Sequence, residues 1–393
     1  MRFLLVLLAG TSVAASSPSA PSSTLIYTKS DLVAAKLIAA TNHPQLNALR
    51  AAADKAMQAG PWSVTFERPK DTPAGPHDFY SEGPYWWPDP QNPGGPYIRR
   101  DGERNPDRFT ANERDLNAMC DSVLALGAAS YLFDKAEYGA RAAKIVSTWF
   151  VDDATKMNPN LRYGQAVHGR AEGRPEGLIA IRSFIWLLEG VRLAEESRGW
   201  DPQVSAGLKN WLHEFQKWEL SSEIGKREGE AANNHASWWT AHNAAIAIYL
   251  GDHKTRDKMF EHYRSRLLKQ FKPDGSAPLE EARTKSLSYS LFNATALAFI
   301  CRFAELSGKD LAHYANKDDV TLTTVVQYLM PFFFNPSKWQ HQQIETLQRD
   351  HEYFLGLAGV SLNRSSFIQY QTRIGPTGGP SAAWLSVLFE INR

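Results

Sequence analysis

Helical periodicity dominates the chain after residue 110. Apolar residues recur there every three to four positions, and glycine or proline marks most gaps between the periodic segments. Runs of alternating apolar and polar residues are scarce, so we expect an all-α protein whose helices bury their apolar faces against one another. The pattern predicts a helical stretch over 30–57 and helices over 111–133, 137–150, 176–197, 203–220, 236–250, 254–271, 284–307, 319–334, 338–358 and 380–391.

The predicted helices have similar lengths and short connections, as in a series of antiparallel hairpins. This arrangement favours an incomplete α/α toroid, and an irregular helical bundle is the alternative that periodicity leaves open. No shift in composition marks a domain boundary after Ala111. We therefore expect residues 30–393 to form a single domain.

The N-terminus has the pattern of a secretory signal. Arg2 precedes an apolar run from Phe3 to Ala9, and small residues follow that run. The run is too short for a stable membrane anchor. We predict a signal peptide over 1–15 and a flexible leader over 16–29. The mature protein is then expected to be secreted or periplasmic, with no membrane segment after cleavage.

Charge and cysteine content exclude several classes of protein. Forty-three Lys and Arg against 42 Asp and Glu produce no overall basic field, which argues against a nucleic-acid partner. Cys120 and Cys301 are too few for a disulfide-rich scaffold or a Cys-based zinc cluster, and we expect two buried free thiols. The histidines lack the spaced carboxylates of a recognisable metal site, so we predict no metal and no cofactor.

A long loop over 60–109 interrupts the helical pattern. Prolines and glycines break it repeatedly, and it is rich in tryptophan and tyrosine. Loops of this length in a compact domain are usually functional, so we predict an aromatic lid or binding loop. Tyr80, Trp86 and Trp87 are suited to stacking on sugar rings. The alternative is that the tryptophans only fix the loop to the helical body.

A second candidate site is the segment Asn233-Asn234-His235-Ala236-Ser237-Trp238-Trp239, at the start of a predicted helix. Asparagine at a helix start is commonly an N-cap, and a single histidine is commonly structural. The combination with two tryptophans is rarer. Because a helix N-terminus attracts anions, we expect a substrate carboxylate there.

A third candidate runs from Glu280 to Ser290 and includes Arg283 and Tyr289. Arginine suits a bidentate grip on a carboxylate, and a neighbouring cation can lower the pKa of a tyrosine. On one straight helix, however, residues 283 and 289 would point about 240° apart. They converge only if Arg283 belongs to the preceding loop or folds back over the first turn.

A fourth candidate is the glycine-broken loop over 168–174. Its side chains His168, Arg170 and Arg174 are suited to binding a polyanion. The alternative of a solvated loop without a ligand is equally compatible with the sequence.

These segments together resemble the alginate-lyase superfamily of polysaccharide lyases. The resemblance rests on Tyr85-Trp86-Trp87-Pro88, on the segment at 233–239, and on Glu280-x-x-Arg283-Thr284 followed by Tyr289-Ser290, and it extends over about 79–297. It implies an incomplete α/α toroid with a substrate groove. It also implies β-elimination on an acidic polysaccharide, either mannuronate-rich alginate or β-1,4-glucuronan.

The resemblance further implies roles for individual residues. Asn234, His235 and Arg283 would neutralise the uronate carboxylate. Tyr289 would act as base and acid if the C5 proton and O4 lie on the same face of the sugar, whereas His235 would be the base if they lie on opposite faces. Residues expected to hold the polymer are Tyr80, Trp86, Trp87, His168, Arg170, Arg174, Asn233 and Trp238.

Two other functions remain open at this point. A glycoside hydrolase would need two carboxylates about 5–10 Å apart, and the sequence offers Asp78 or Glu82 with Glu172 or Glu280. A non-catalytic carbohydrate-binding protein would need the aromatic loop but neither the Asn-His pair nor Tyr289.

Overall fold

Fifteen α-helices form most of the part of the chain that the structure describes. The structure is a computed structural model, and it describes residues 23–41, 43–348, 353–374 and 378–393. The predicted signal peptide lies outside these residues. The helices are α1 (Lys29–Ala39), α2 (Pro44–Gln58), α3 (Ala111–Phe133), α4 (Ala136–Phe150), α5 (Phe184–Ala194), α6 (Pro202–Ser221), α7 (Glu223–Gly229), α8 (Asn234–Leu250), α9 (His253–Ser265), α10 (Pro278–Glu281), α11 (Ser286–Leu306), α12 (Leu322–Phe334), α13 (Phe354–Ser361), α14 (Ser365–Ile374) and α15 (Gly379–Ile391).

Most predicted helices are present within a few residues of their expected bounds. The stretch over 30–57 is divided into α1 and α2, since Pro44 occupies the first turn of a new helix. The segment predicted over 176–197 begins as a 3₁₀ helix (Pro175–Ser183) and continues as α5. Periodicity did not predict the short helices α7, α10 and α14.

The helix predicted over 338–358 is wrong. Residues 339–348 are an extended strap, and α13 begins only at Phe354. The strap is held by hydrogen bonds to the start of α11. The Ser286 amide donates to the Gln342 carbonyl over 3.1 Å, and the Ile344 amide donates to the Thr284 carbonyl over 3.0 Å. These tertiary hydrogen bonds replace the ladder that a helix would have supplied.

The predicted flexible leader over 16–29 is wrong for its last residues. Leu25, Ile26 and Tyr27 are buried. The buried carboxylate of Glu189 on α5 accepts hydrogen bonds from the Thr24 hydroxyl at 2.7 Å and from the Leu25 amide at 2.9 Å. This segment is therefore part of the helical body.

The core lies where α3, α5, α8 and α11 pack against their neighbours. Helices α3 and α5 approach closely at Gly127 and Gly190, where a Cβ on Gly127 would lie 2.0 Å from the Gly190 carbonyl oxygen. Helices α3 and α11 have the length and hydropathy of a membrane span, but most of each is buried inside the protein. Cys120 and Cys301 are buried free thiols, as predicted.

The loop over 60–109 folds against one end of the helices and contains three short strands. Strand β1 (Tyr80–Glu82) pairs in parallel with β4 (Tyr163–Ala166), and β2 (Trp86–Trp87) pairs antiparallel with β3 (Ile98–Arg99). The Asn105 side chain donates to the Trp86 carbonyl over 3.0 Å and fixes the loop's return. The aromatic loop is thereby held next to the starts of α8 and α11.

Candidate active site

A cleft of about 650 Å³ lies between the aromatic loop and the N-terminal ends of α8 and α11. Of the predicted catalytic residues, Asn234, His235, Arg283 and Tyr289 all line it. They come from two separate helix starts, so the fold brings together the second and third candidate segments. The binding candidates Trp86, Arg174 and Asn233 line the same cleft.

His235 occupies the first turn of α8 and is held by a buried carboxylate. Its Nδ1 lies 2.6 Å from Oε1 of Glu228, whose side chain is 2% exposed. Burial lowers the pKa of His235, but the carboxylates of Glu228, Glu176 and Glu280 together outweigh burial and raise the pKa above its usual value. Nε2 makes no hydrogen bond to the described residues, so it is the ring nitrogen left for a ligand in the cleft.

The two asparagines before His235 have different tasks. Asn233 is the N-cap of α8, and its side-chain oxygen accepts the His235 amide at 3.3 Å. Asn234 is buried, and its side-chain nitrogen donates to both oxygens of Glu280 at 2.9 Å. Glu280 therefore fixes the rotamer of Asn234, while the helix N-terminus directs its positive dipole end toward the cleft.

Arg283 and Tyr289 converge although they are six residues apart. Helix α11 begins at Ser286, so Arg283 lies in the preceding turn. Its guanidinium carbon is 4.0 Å from the centre of the Tyr289 ring. Arg283 therefore lies in the loop before the helix, which is the condition under which the two side chains were expected to converge.

The hydroxyl of Tyr289 lies 2.6 Å from the hydroxyl of Tyr85 in the aromatic loop. Burial raises the pKa of Tyr289 and the adjacent Tyr85 raises it further, more than the Arg283 cation lowers it. The lowered tyrosine pKa that the sequence suggested is therefore wrong for the unliganded cleft. Tyr289 is protonated at neutral pH.

Asp101 links the aromatic loop to this corner of the cleft. Its carboxylate accepts Nη2 of Arg283 at 2.9 Å and the Thr284 amide at 3.2 Å. Burial alone would raise the pKa of Asp101, but these donors hold it well below its usual range. Asp101 is therefore ionised at neutral pH, and its negative charge compensates the Arg283 cation and fixes its position.

The cleft carries more basic than acidic side chains. Its carboxylates are Glu113, Glu176, Glu228 and Glu345, and its basic side chains are Arg99, Arg104, Arg174, Arg182, Arg227, Arg283 and Lys285. Several of the cations are already paired, as Lys285 is with Glu345 at 2.6 Å. The exposed Arg104 and Arg227 make no ion pair with the described residues. These two cations at the mouth favour an anionic ligand.

Three of the predicted binding residues lie elsewhere. Tyr80, His168 and Arg170 line a second cavity of about 660 Å³, which adjoins the cleft at Trp86. Arg170 and Arg174 each stack on the Trp86 ring, with guanidinium carbons 5.4 Å from its centre. Trp86 is therefore a wall shared by the cleft and the second cavity.

Two predicted binding residues are misplaced. Trp238 is 5% exposed and packs against Phe292 with ring centres 4.7 Å apart, so it belongs to the core beneath the cleft. Trp87 lines neither cavity, and its indole nitrogen donates to the Glu103 carbonyl over 2.9 Å. Trp87 therefore joins two parts of the same loop, whereas the alternative given for the tryptophans was attachment to the helical body.

None of the four carboxylates that the sequence offered for a hydrolase lines the cleft. Glu280 is buried beneath Asn234, whereas Glu82 and Glu172 line the second cavity. Asp78 accepts the Gly75 amide at 2.8 Å and lines neither cavity. No cluster of three or more potential metal-ligating side chains occurs among residues 23–41, 43–348, 353–374 and 378–393.

Sequence reasoning missed three residues that shape the site. Tyr85 belongs to the Tyr-Trp-Trp-Pro segment of the aromatic loop, but the sequence predicted a binding role only for its neighbours Trp86 and Trp87. Glu228 and Asp101 carry no local pattern. Glu228 lies seven residues before its partner His235, and Asp101 lies 182 residues before its partner Arg283. Each contact depends on how the chain folds around the cleft.

The chain is similar to known proteins along most of its length. The family model described as alginate lyase matches residues 63–339. An alginate lyase from Bacteroides ovatus is 31% identical, with a TM-score of 0.78, over 93% of this chain and 95% of that one. Among proteins with curated descriptions, none matches the chain.

A more distant likeness supports the fold. Alginate lyase A1-III from Sphingomonas species A1 is 16% identical, with a TM-score of 0.57, over 92% of this chain and 91% of that one. A variant of A1-III complexed with tetrasaccharide is 14% identical, with a TM-score of 0.60, over 94% of this chain and 95% of that one. The predicted α/α toroid is confirmed. The chain belongs to the alginate lyase family of polysaccharide lyases.

Proposed function

We propose that the protein is an exported lyase that cleaves mannuronate-rich alginate by β-elimination. The observation that supports this most directly is the joint presence of His235 and Tyr289 in one basic cleft, with His235 held by Glu228. The Bacteroides ovatus relative is an alginate lyase by name. Export rests on the signal-like N-terminus alone.

The reaction begins at C5 of the uronate, next to the carboxylate. A base removes the C5 proton, the electron pair forms the C4=C5 double bond, and the C4–O4 bond breaks while an acid protonates O4. The C5 proton is weakly acidic as long as the carboxylate keeps its full charge. The site must therefore stabilise the enolate-like intermediate with preorganised donors.

His235 suits the role of donor to the carboxylate. Its raised pKa favours the imidazolium, in which Nδ1 donates to Glu228 and Nε2 can donate to a ligand. An imidazolium has no free lone pair, so His235 in this state cannot remove a proton. Asn234 lies next to it at the same helix N-terminus, but its side-chain nitrogen already donates to Glu280.

Tyr289 is then left to act at C5 and O4. In mannuronate these two positions lie on one face of the ring, so one tyrosine can serve both. Its phenolate, formed when the hydroxyl loses its proton to solvent, takes the C5 proton, and the phenol so formed gives that proton to O4. Tyr85 and Arg283 contact Tyr289 and hold its ring in place. In guluronate the two positions lie on opposite faces, and a second base would be needed. The assignment of His235 as donor therefore favours mannuronate.

Glucuronan has the same configuration as mannuronan at C4 and C5 and differs at C2. The cleft chemistry described above would serve both polymers. Alginate is our proposal because the relatives are alginate lyases by name, and glucuronan is the second substrate to be compared.

The experiment that separates elimination from hydrolysis is a product count on alginate. Each lyase cut creates one reducing end and one C4=C5 double bond, which absorbs in the ultraviolet. We expect equal molar yields of the two. New reducing ends without the chromophore would show hydrolysis, and neither product with continued binding would show a binding protein.

A further inference from the structure

We propose that the second cavity is a remote binding site for a carboxylate-bearing sugar of the same polymer that the cleft cleaves. This inference rests on the proposed function, since it concerns the path of the substrate beyond the cleft. The cavity measures about 660 Å³, close to the 650 Å³ of the cleft. A sugar that fits one fits the other by volume.

The two cavities are adjacent. Trp86 lines both, Arg174 lines the cleft, and Arg170 lines the second cavity. Each guanidinium carbon is 5.4 Å from the centre of the Trp86 ring, so the two cations are separated by at most twice that distance. A polymer that leaves the cleft across Trp86 would enter the second cavity within a few sugar units.

The charges of the second cavity suit a uronate. Lys70 and Arg170 are exposed there and pair with no carboxylate among the described residues. The Arg170 side chain is steadied by a hydrogen bond from Nε to the Tyr97 carbonyl. Two cations that are free of carboxylates can receive the carboxylate of a sugar.

The remaining lining suits the rest of a sugar ring. Tyr97 and Trp86 provide aromatic surfaces, and the exposed Asp71 and Glu172 provide acceptors for hydroxyl groups. With Glu82, three acidic side chains line the cavity, and they would repel a densely charged ligand such as a polyphosphate. A sugar with one carboxylate and several hydroxyls matches this mixed set.

The test is a length series of mannuronate oligosaccharides on the complete protein. We expect kcat/KM of the wild type to rise from the trimer to the hexamer, because only the longer chain reaches past Trp86. In Lys70→Gln the ratio of the hexamer value to the trimer value should fall on the order of fivefold, as for an exposed charge pair. Arg170→Gln should lower the same ratio.

Arg162→Gln is the matched control, since Arg162 is exposed and lines neither cavity. An unchanged ratio in Lys70→Gln and Arg170→Gln, or a wild type that does not distinguish the oligomers, would overturn the remote site. If the wild type cleaves no oligomer, the proposed function fails instead. Calorimetry then tests the remote site alone: it requires hexamer binding that Lys70→Gln weakens, and binding that is equal in both proteins would overturn it.

Discussion

The guanidinium of Arg283 lies 4.0 Å from the centre of the Tyr289 ring, although six residues separate them. The contact exists because α11 begins at Ser286, which leaves Arg283 free to fold back over the first turn. A carboxylate oxygen of Asp101, in the aromatic loop, lies 2.9 Å from Nη2 of Arg283 and holds the guanidinium in place. The position of the proposed catalytic tyrosine thus depends, through Arg283, on a loop residue 182 positions before that arginine.

Tyr289→Phe should abolish most turnover while the protein still binds alginate. The phenol is the proposed base and acid, and loss of general acid–base catalysis lowers rates on the order of 10²–10⁴-fold. The measurement is kcat from the ultraviolet chromophore, together with polymer affinity by calorimetry. Tyr328→Phe is a control, because Tyr328 is hydrogen-bonded to Glu281 and lines neither cavity. Full activity in Tyr289→Phe would remove Tyr289 from the chemistry.

Glu228→Gln should shift the limb of the pH–rate profile that His235 sets to lower pH. The Glu228 carboxylate contributes most, with Glu176 and Glu280, to raising the pKa of His235 against the effect of burial. Without that charge His235 loses its proton at lower pH, and the enzyme loses the cation that neutralises the substrate. We expect a shift of about one pH unit, equivalent to about 1.4 kcal/mol. A limb that stays in place, or moves upward, would show that His235 does not act as a cation.

Asp101→Asn should shift the limb of the same profile that Tyr289 sets to lower pH. Burial and Tyr85 raise the pKa of Tyr289, and the negative charge of Asp101 adds to this. Asparagine keeps an acceptor for Arg283 but removes the charge, so the phenolate forms more easily. The pH dependence of kcat reports this shift. If the limb instead moves to higher pH, Asp101 is needed to hold Arg283 in place.

Arg104→Gln and Arg227→Gln should weaken substrate binding without changing kcat. Both cations are exposed at the cleft, and neither pairs with a described carboxylate. An exposed charge pair is worth up to about 1 kcal/mol, so KM should rise about fivefold for each change. The effect should shrink at high salt. Arg198→Gln serves as the control, because Arg198 is exposed and outside both cavities.

Local patterns predicted much of the fold and the centre of the site. The helical period placed α3, α8 and α11 closely, and the Asn-His segment and Tyr289 were selected by residue type at helix starts. The strap over 339–348 was mistaken for a helix because its hydrogen bonds go to α11. The periodicity of apolar residues within one segment carries no information about hydrogen bonds to a distant segment.

The misplaced residues have a related cause. Trp238 lies three residues after His235, but α8 is buried on all sides beyond its first turn, so the indole faces the core. Glu228 and Asp101 contribute through contacts between different elements. The sequence shows that both residues are acidic, but it does not show that the fold places them at the cleft.

The central claim is that Tyr289 removes the C5 proton and protonates O4 on the same face of the sugar, while His235 acts as a cationic donor to the carboxylate. Its most direct measurement is the initial rate of C4=C5 chromophore formation on polymannuronate, polyguluronate and glucuronan at equal concentrations of uronate. The account predicts the highest rate on polymannuronate and little or no product from polyguluronate. A higher rate on glucuronan would contradict the alginate assignment, and a higher rate on polyguluronate would contradict the roles given to His235 and Tyr289.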